Sequence, residues 1–201
     1  MKLHVIATSY KRYGELKVFV QSWINQTKDN WHLTVIHDGE DETFNTIMEQ
    51  FERDKPNHIN HFCTQTRYND YGHTLRDMGI QQAEGDYILL TNADNYFIPK
   101  AVEYLNIAAS KKSDVILFDM VHAHEHPGDT KNLAYTSFIT EYRRWRIDVS
   151  SAIVKTELAK KVGFRDKGFD GDATYFEDIK EVAYNKNLNI FKIPRILFVH
   201  N

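Results

Sequence analysis

The feature that most constrains the fold is an alternation of strand-like and helix-like segments over the first 120 residues. Apolar, β-branched runs predict buried strands at LHVIATSY (3–10), WHLTVIHDG (31–39) and DYILLTNADN (86–95). A segment with apolar residues at helical spacing follows each of them, the first at 14–26. Such alternation predicts an α/β fold with a mostly parallel sheet and helices on both faces.

The rest of the chain gives the same two signals. Gly85 is expected to cap the helix predicted at 72–85, and Pro99 to lie at or near the first turn of the next. Residues 120–150 have the least regular pattern and are expected to form an excursion over the site. Further helices are predicted at 41–54, 99–110, 156–164 and 175–187, and further strands at 59–66, 113–124 and 190–201.

Bulk properties exclude several function classes. The 201 residues suit one domain, and a net charge of −3 gives no basic footprint for nucleic acid. The single cysteine, Cys63, excludes an intramolecular disulfide and fits a reducing compartment. No apolar run approaches the roughly 18 residues of a membrane span, and the N-terminal run is too short for a signal peptide. We expect a cytoplasmic protein (in the host cytoplasm if viral), or one module of a longer polypeptide.

Short polar clusters follow three of the predicted strands. They are TSYKR (8–12), HDGED (37–41) and NADN (92–95). Because the carboxyl ends of parallel strands meet at one edge of a sheet, the clusters predict a shared ligand site. Carboxylate and amide oxygens there suit a divalent cation or a diphosphate. A strand-end Asn/Asp turn is the alternative for NADN.

The order of the motifs resembles glycosyltransferase family 2, a family with the GT-A fold. The resemblance is carried by VIATSYKRYGELKVFVQSWINQT (5–27), LTVIHDGEDE (33–42), NDYGHTLRDMGIQQAEGDYILLTNADN (69–95) and VGFRDKGFDGDATYFEDIKEVAYNKN (162–187). It implies a single, Rossmann-like GT-A domain over 1–201. Within it, a nucleotide-sugar-binding part would occupy 1–98 and an acceptor-side part 99–201.

The resemblance also implies a reaction. A hexose-type sugar would move from a UDP-sugar to a hydroxyl of a glycan or glycoprotein acceptor, by inverting displacement (EC 2.4 class). Charge builds on the departing diphosphate, so Mn²⁺ or Mg²⁺ is expected beside it. Asp94 is the implied metal ligand, with His200 as a second; a partly exposed terminal histidine is the alternative. Asn92 stands where the family usually has its first aspartate, so it would hydrogen-bond ribose or a metal-bound water.

Eight residues are implied in nucleotide-sugar binding. Asp38 would accept a hydrogen bond from the uracil ring, with an Asp-Gly turn as the alternative. Arg76 would face the diphosphate or the acidic motif, unless it is a surface charge. The full set is Thr8, Ser9, Tyr10, Arg12, Asp38, Arg76, Asn92 and Ala93.

The acceptor side supplies the implied general base. Glu177 and Asp178 lie near the start of a predicted helix, where successive side chains point about 100° apart, so one of them faces the substrate. The family pattern favours Asp178. Acidic residues also stabilise a helix N-terminus without any catalytic role. Trp145 is expected to stack on an acceptor sugar, with a core tryptophan as the alternative.

Two other functions are considered. The first is a zinc metallohydrolase. The three histidines of the HAHEH segment (122–126) resemble the zinc-ligand loop of metallo-β-lactamase-type hydrolases, and zinc favours imidazole ligands, but the spacing of the ligands differs. The second is a nucleotide-sugar-binding module without turnover, in which Asn92 marks the loss of activity.

Overall fold

The computed structural model describes residues 1–122, 135–183 and 187–201. A short 3₁₀ turn at Val149–Ser151 leads into the eighth strand. The helices and strands, in chain order, are β1 (Leu3–Ser9), α1 (Tyr13–Ile24), β2 (Trp31–His37), α2 (Glu42–Asp54), β3 (Ile59–Cys63), α3 (His73–Gln82), β4 (Tyr87–Asn92), β5 (Tyr96–Phe97), α4 (Ala101–Ala109), β6 (Val115–His122), β7 (Thr136–Phe138), β8 (Ala152–Lys155), α5 (Thr156–Val162), α6 (Gly171–Ala183) and β9 (Ile190–His200).

One sheet runs through these residues in the order β3-β2-β1-β4-β8-β6-β9-β5, with β7 on β6. The four strands β3, β2, β1 and β4 are all parallel. Strand β8 is antiparallel to both of its neighbours, whereas β6 and β9 are parallel to each other. The predicted α/β architecture is confirmed, with an all-parallel half and a mixed half.

Helices cover both faces of the sheet, and side-chain alternation along the strands explains why. In β1, Val5 and Ala7 join a core that includes helix α1, whereas Ile6 between them joins a second core that includes α3. Helix α3 approaches the sheet closely at Gly79, where a Cβ atom would lie 2.4 Å from Ile6. Strands buried on both faces read as continuous apolar runs, which is the observed pattern.

The register of the parallel strands sets the position of the polar clusters. Ser9 at the end of β1 pairs with His37 at the end of β2, and Thr8 pairs with Asn92 at the end of β4. The residues after these positions therefore emerge at one edge of the sheet, as predicted from the strand ends.

Three expectations need correction or stay open. Helix α3 ends at Gln82 and Ala83 follows as its cap, so the prediction of a cap at Gly85 was wrong. Gly85 (φ +117°) instead lies where a Cβ atom would be 2.8 Å from the Lys2 carbonyl oxygen. Helix α6 begins at Gly171, four residues before the predicted start. His124 and His126 of the HAHEH segment lie outside the described residues.

In the described part of the chain, no helix combines the length and apolarity required to cross a bilayer.

Candidate functional site

A cavity of about 520 Å³ opens at the carboxyl ends of β1, β2 and β4. That volume suits a nucleotide-sized ligand. Predicted nucleotide-sugar residues make up much of its lining, namely Thr8, Ser9, Tyr10, Arg12, Asp38, Asn92 and Ala93, and the predicted metal ligand Asp94 joins them.

Asp38 organises one wall of the cavity. Its carboxylate accepts hydrogen bonds from the backbone N–H groups of Tyr68 (2.7 Å) and Asn69 (2.9 Å). The backbone N–H of Asp38 in turn donates to the Ser9 carbonyl oxygen at 2.9 Å. Asp38 therefore holds the loop between β3 and α3 against the ends of β1 and β2 while still lining the cavity.

A flat cationic surface lies beside Asp38. The Arg67 guanidinium carbon is 3.7 Å from the centroid of the Tyr10 ring, a close cation–π contact. Tyr10 also stacks on His37, with ring centroids 5.7 Å apart. Planar groups stacked in this way suit one face of a nucleobase.

Asp94 lines the cavity just beyond the end of β4. Arg12 donates to its Oδ2 atom at 2.7 Å, whereas Oδ1 is buried and has no hydrogen-bond partner among the described residues. Burial raises the pKa of the Asp94 carboxyl, and electrostatic interactions with Arg12 and His200 oppose that rise. Asp94 is therefore a partly satisfied carboxylate that can accept a further cation.

These residues fit part of a divalent-metal site. The Asp94 Oδ1 atom and the His200 Nδ1 atom are both buried without partners in the described ranges, and Mn²⁺ accepts oxygen and imidazole ligands. The described residues contain no group of three or more His, Cys, Asp or Glu side chains arranged around one point. An ion held by Asp94 and His200 would take its other ligands from a diphosphate and water.

Arg76 lies behind the cavity with 2% of its surface exposed. It donates to the Asn92 side-chain oxygen (2.6 Å), to the Tyr71 carbonyl oxygen (2.8 Å) and to the Nδ1 atom of His73 (2.7 Å). All three acceptors are neutral, and the Nε atom has no hydrogen-bond partner in the described part of the chain. A buried cation without a carboxylate partner favours negative charge in its surroundings.

His73 must be neutral to accept from Arg76. Burial, and then the charge of Arg76, lower the pKa of His73 to about 4. With Nδ1 accepting, Nε2–H donates to the Gly168 carbonyl oxygen at 3.0 Å. His73 therefore ties helix α3 to the loop before α6.

Asp172 is a site carboxylate that the sequence prediction missed. It lies in the first turn of α6, with Oδ1 buried, unpaired within the described ranges and 4.0 Å from His73 Nδ1, although the side chain stays 30% exposed. Burial raises the pKa of Asp172 to about 6; Arg76 and His200 oppose the rise and Asp148 adds to it. Such a carboxyl is suited to accepting a proton near neutral pH.

Asp148 links this group to the end of the sheet. It caps the 3₁₀ turn by accepting from the Ser150 backbone N–H at 2.7 Å. Its other carboxylate oxygen lies 3.6 Å from His200 Nε2. The turn before β8 and the start of α6 thus place Asp148 and Asp172 in the surroundings of His200, at the end of β9.

The predicted acceptor-side residues lie elsewhere. Asp178 forms a bidentate pair with Arg165 (2.7 and 2.9 Å), and Glu177 forms one with Arg144 (2.9 and 2.8 Å). Neither lines the cavity, and Asp148, Asp172 and His200 also lie outside its lining. Because α6 begins at Gly171, Glu177 and Asp178 fall in its middle and Asp172 takes the position expected for them. Trp145 is 62% exposed, so the alternative of a core tryptophan was wrong.

Residues 4–171 match the family described as Glycosyl transferase family 2. The chain belongs to this family. The resemblance inferred from the motifs is thereby confirmed. In sequence, the chain is 28% identical over 102 residues to an uncharacterized glycosyltransferase of Rickettsia bellii, a match that covers 51% of this chain and 14% of that one.

Solved structures show the same fold. The chain superposes over its whole length on 60% of residues 1–349 of Staphylococcus aureus TarS, with a TM-score of 0.78 and 17% identity. A TarS complex with UDP-GlcNAc matches with a TM-score of 0.78 at 18% identity. The mannosyltransferase PcManGT of Pyrobaculum calidifontis, solved with GDP-Man and Mn²⁺, matches 99% of this chain and 56% of its own, with a TM-score of 0.69 and 14% identity. This family 2 chain thus has the GT-A fold; it covers 14% of the Rickettsia relative, 56% of PcManGT and 37% of full TarS.

Proposed function

We propose that this family 2 chain transfers a hexose from a UDP-sugar to a glycan hydroxyl, with inversion at the anomeric carbon. The observation that carries the proposal is that Asp38 and Asp94, from the ends of β2 and β4, line one cavity. The complexes of TarS with UDP and UDP-GlcNAc support a uridine donor by analogy.

The residues proposed to bind the donor form two groups, one for the nucleobase and one for the diphosphate. Asp38 and the Tyr10–Arg67 stack would bind the uracil ring. Asp94 and His200 would hold the divalent cation, which when bound neutralises charge on the diphosphate; the Mn²⁺ in the PcManGT complex supports this. Arg76 adds a buried positive charge behind Asn92, where an aspartate would have offset it.

Asp172 is the proposed general base. Its raised pKa and its unpaired oxygen allow it to take the acceptor hydroxyl proton. The acceptor oxygen then forms a bond to the anomeric carbon as the bond to the diphosphate oxygen breaks, and the leaving diphosphate takes the electron pair. Asp172 replaces Asp178 in this role, because Arg165 pairs with both carboxylate oxygens of Asp178, whereas Asp172 Oδ1 has no hydrogen-bond partner among the described residues.

Calorimetric titration with UDP and GDP, with and without Mn²⁺, tests donor binding. We expect UDP to bind more tightly than GDP, and this preference should be smaller in Asp38→Asn. We also expect Mn²⁺ to strengthen UDP binding, and this effect should be smaller in Asp94→Asn. Absence of nucleotide binding in the wild-type protein would refute the proposal.

Release of UDP from a panel of UDP-hexoses, measured with glycan acceptors, separates the remaining functions. Turnover lost in Asp94→Asn supports the transferase. Nucleotide binding without turnover on any acceptor supports the inactive module. Zinc-dependent hydrolysis that His124→Ala removes, without nucleotide binding, supports the hydrolase.

A further inference from the structure

Two exposed aromatic rings meet at the mouth of the cavity. Tyr71, before α3, and Phe169, before α6, are 64% and 62% exposed. Their ring centroids are 5.9 Å apart and their planes lie at 77°. Single exposed apolar residues are common, but two large rings brought together in solvent from distant parts of a chain indicate a binding surface.

Both rings are held in place by the residues behind the cavity. Tyr71 has a φ of +60°, a left-handed conformation unfavourable for a bulky side chain, and its carbonyl oxygen accepts from Arg76 at 2.8 Å. The Gly168 carbonyl oxygen, next to Phe169, accepts from His73. The Lys167 ammonium donates to the His73 carbonyl oxygen at 3.3 Å. The backbone that carries Tyr71 and Phe169 is therefore anchored by these hydrogen bonds.

The pair lies between the donor cavity and the proposed base. Tyr71 lines the cavity, and its ring centroid is 5.9 Å from that of His73. His73 is the residue 4.0 Å from Asp172, and Phe169 precedes Asp172 by three positions. A molecule that presents a hydroxyl to Asp172 would therefore approach past these rings.

The residues around the two rings are polar rather than apolar. Asp170, the next residue after Phe169, accepts from Arg144 Nη1 at 3.0 Å, and Arg144 also pairs with Glu177. Flat aromatic faces edged by charged hydrogen-bonding groups suit a ligand with one apolar face and many hydroxyls. They do not suit a lipid tail, which needs a continuous apolar groove.

We propose that Tyr71 and Phe169 form an acceptor subsite that binds a pyranose ring through its apolar C–H face. The neighbouring Asp170–Arg144 pair would receive hydroxyl groups of that sugar. This inference rests on the proposed function, because it places the acceptor against the proposed base, and it assigns the residues that bind the acceptor glycan.

Saturation-transfer NMR with methyl pyranosides of glucose, galactose, mannose and N-acetylglucosamine tests the subsite, with and without UDP. In the wild-type protein we expect saturation on the C–H protons of one sugar face. Phe169→Ala should remove that pattern and raise the acceptor KM about tenfold, whereas Phe169→Trp should retain it. The matched control is Ile107→Ala, because Ile107 on α4 is 63% exposed and should change neither.

The outcomes distinguish the subsite from the donor site. Unaltered pyranoside binding in Phe169→Ala, or no pyranoside binding in the wild-type protein, would overturn the subsite while UDP titration still reports on the donor site. Transfer only to polyprenyl phosphate in phosphatidylcholine vesicles would also overturn it. Pyranoside binding through Phe169 in a protein that does not bind UDP would refute the proposed function and support the subsite.

Discussion

The two halves of the sheet contribute to the site in different ways. In the all-parallel half, β1, β2 and β4 end together in register, and the groups that line the cavity follow directly from those ends. In the mixed half, Asp148, Asp172 and His200 come from a turn, a helix and a final strand that are far apart in sequence. The comparison teaches that the donor site is local to strand ends, whereas the proposed base depends on packing between elements.

The largest expected effect tests the mixed half. Asp172→Asn should lower kcat by about 10²–10⁴-fold, the usual contribution of a general base, with UDP affinity unchanged. Asp178→Asn is the matched control and should retain most activity, because Asp178 is paired with Arg165. Steady-state transfer rates check both variants; activity retained in Asp172→Asn but lost in Asp178→Asn would return the role to Asp178.

The pH dependence of the same residue gives a second measurement. The base acts only when deprotonated, so kcat/KM should rise with pH through about 6, the raised pKa of Asp172. A carboxyl whose pKa is raised by folding contributes to the free energy of unfolding in full at pH values below its unfolded-state pKa. This contribution is lost as the pH rises through the folded-state pKa. Relative to the wild-type protein, Asp172→Asn should therefore raise the free energy of unfolding more at pH 8 than at pH 4, as measured by urea unfolding. A flat rate profile between pH 5 and pH 8 would contradict the assignment.

A moderate effect is expected in the parallel half. Asp38→Asn keeps the shape of the side chain but removes its charge and offers an N–H group where the carboxylate accepted two backbone N–H bonds. Because hydrogen bonds to a charged group contribute about 1.5–3 kcal/mol, we expect UDP to bind at least tenfold more weakly. Calorimetry checks the change, and unchanged affinity would separate Asp38 from nucleotide binding.

A smaller effect joins the two halves. Asn92→Asp would place a carboxylate 2.6 Å from the Arg76 guanidinium and restore the acidic residue usual in the family. We expect the Mn²⁺ concentration for half-maximal activity to fall several-fold, because the added charge also attracts a divalent cation. Titration of activity with Mn²⁺ measures this, with Asn92→Ala as the control without a charge. A higher Mn²⁺ requirement would show that the Arg76 pairing dominates.

The smallest effect concerns the exposed face of α6. Glu177→Gln breaks a bidentate pair with Arg144, but Glu177 is 53% exposed and solvent screens the interaction. We expect no measurable change in the urea midpoint and less than a twofold change in transfer. A large loss of activity would place Glu177 in the site despite its pairing.

The sequence predicted the parallel half well because its signals are local. Apolar runs followed by TSYKR, HDGED and NADN specify both the strands and the edge at which they end. The first turn of α6 was misplaced because its start depends on Gly171, where a Cβ atom would lie 2.6 Å from His73. That contact spans 98 positions and leaves no periodic pattern in the sequence. Strands β5, β7 and β8 are short and join the sheet through tertiary pairing; the division predicted near residue 98 stays a prediction.

The Arg12–Asp94 contact gives the Asp94 carboxylate a counter-ion from within the chain. A metal on Asp94 Oδ1 would share the carboxylate with the Arg12 guanidinium, which lies 2.7 Å from Oδ2, so repulsion between the two cations would favour movement of Arg12 away from Asp94. Arg12 is 62% exposed and has a left-handed backbone (φ +49°), and once displaced it would become available to an incoming phosphate. Cation and donor would then bind together rather than in sequence, because the movement of Arg12 that favours one also favours the other.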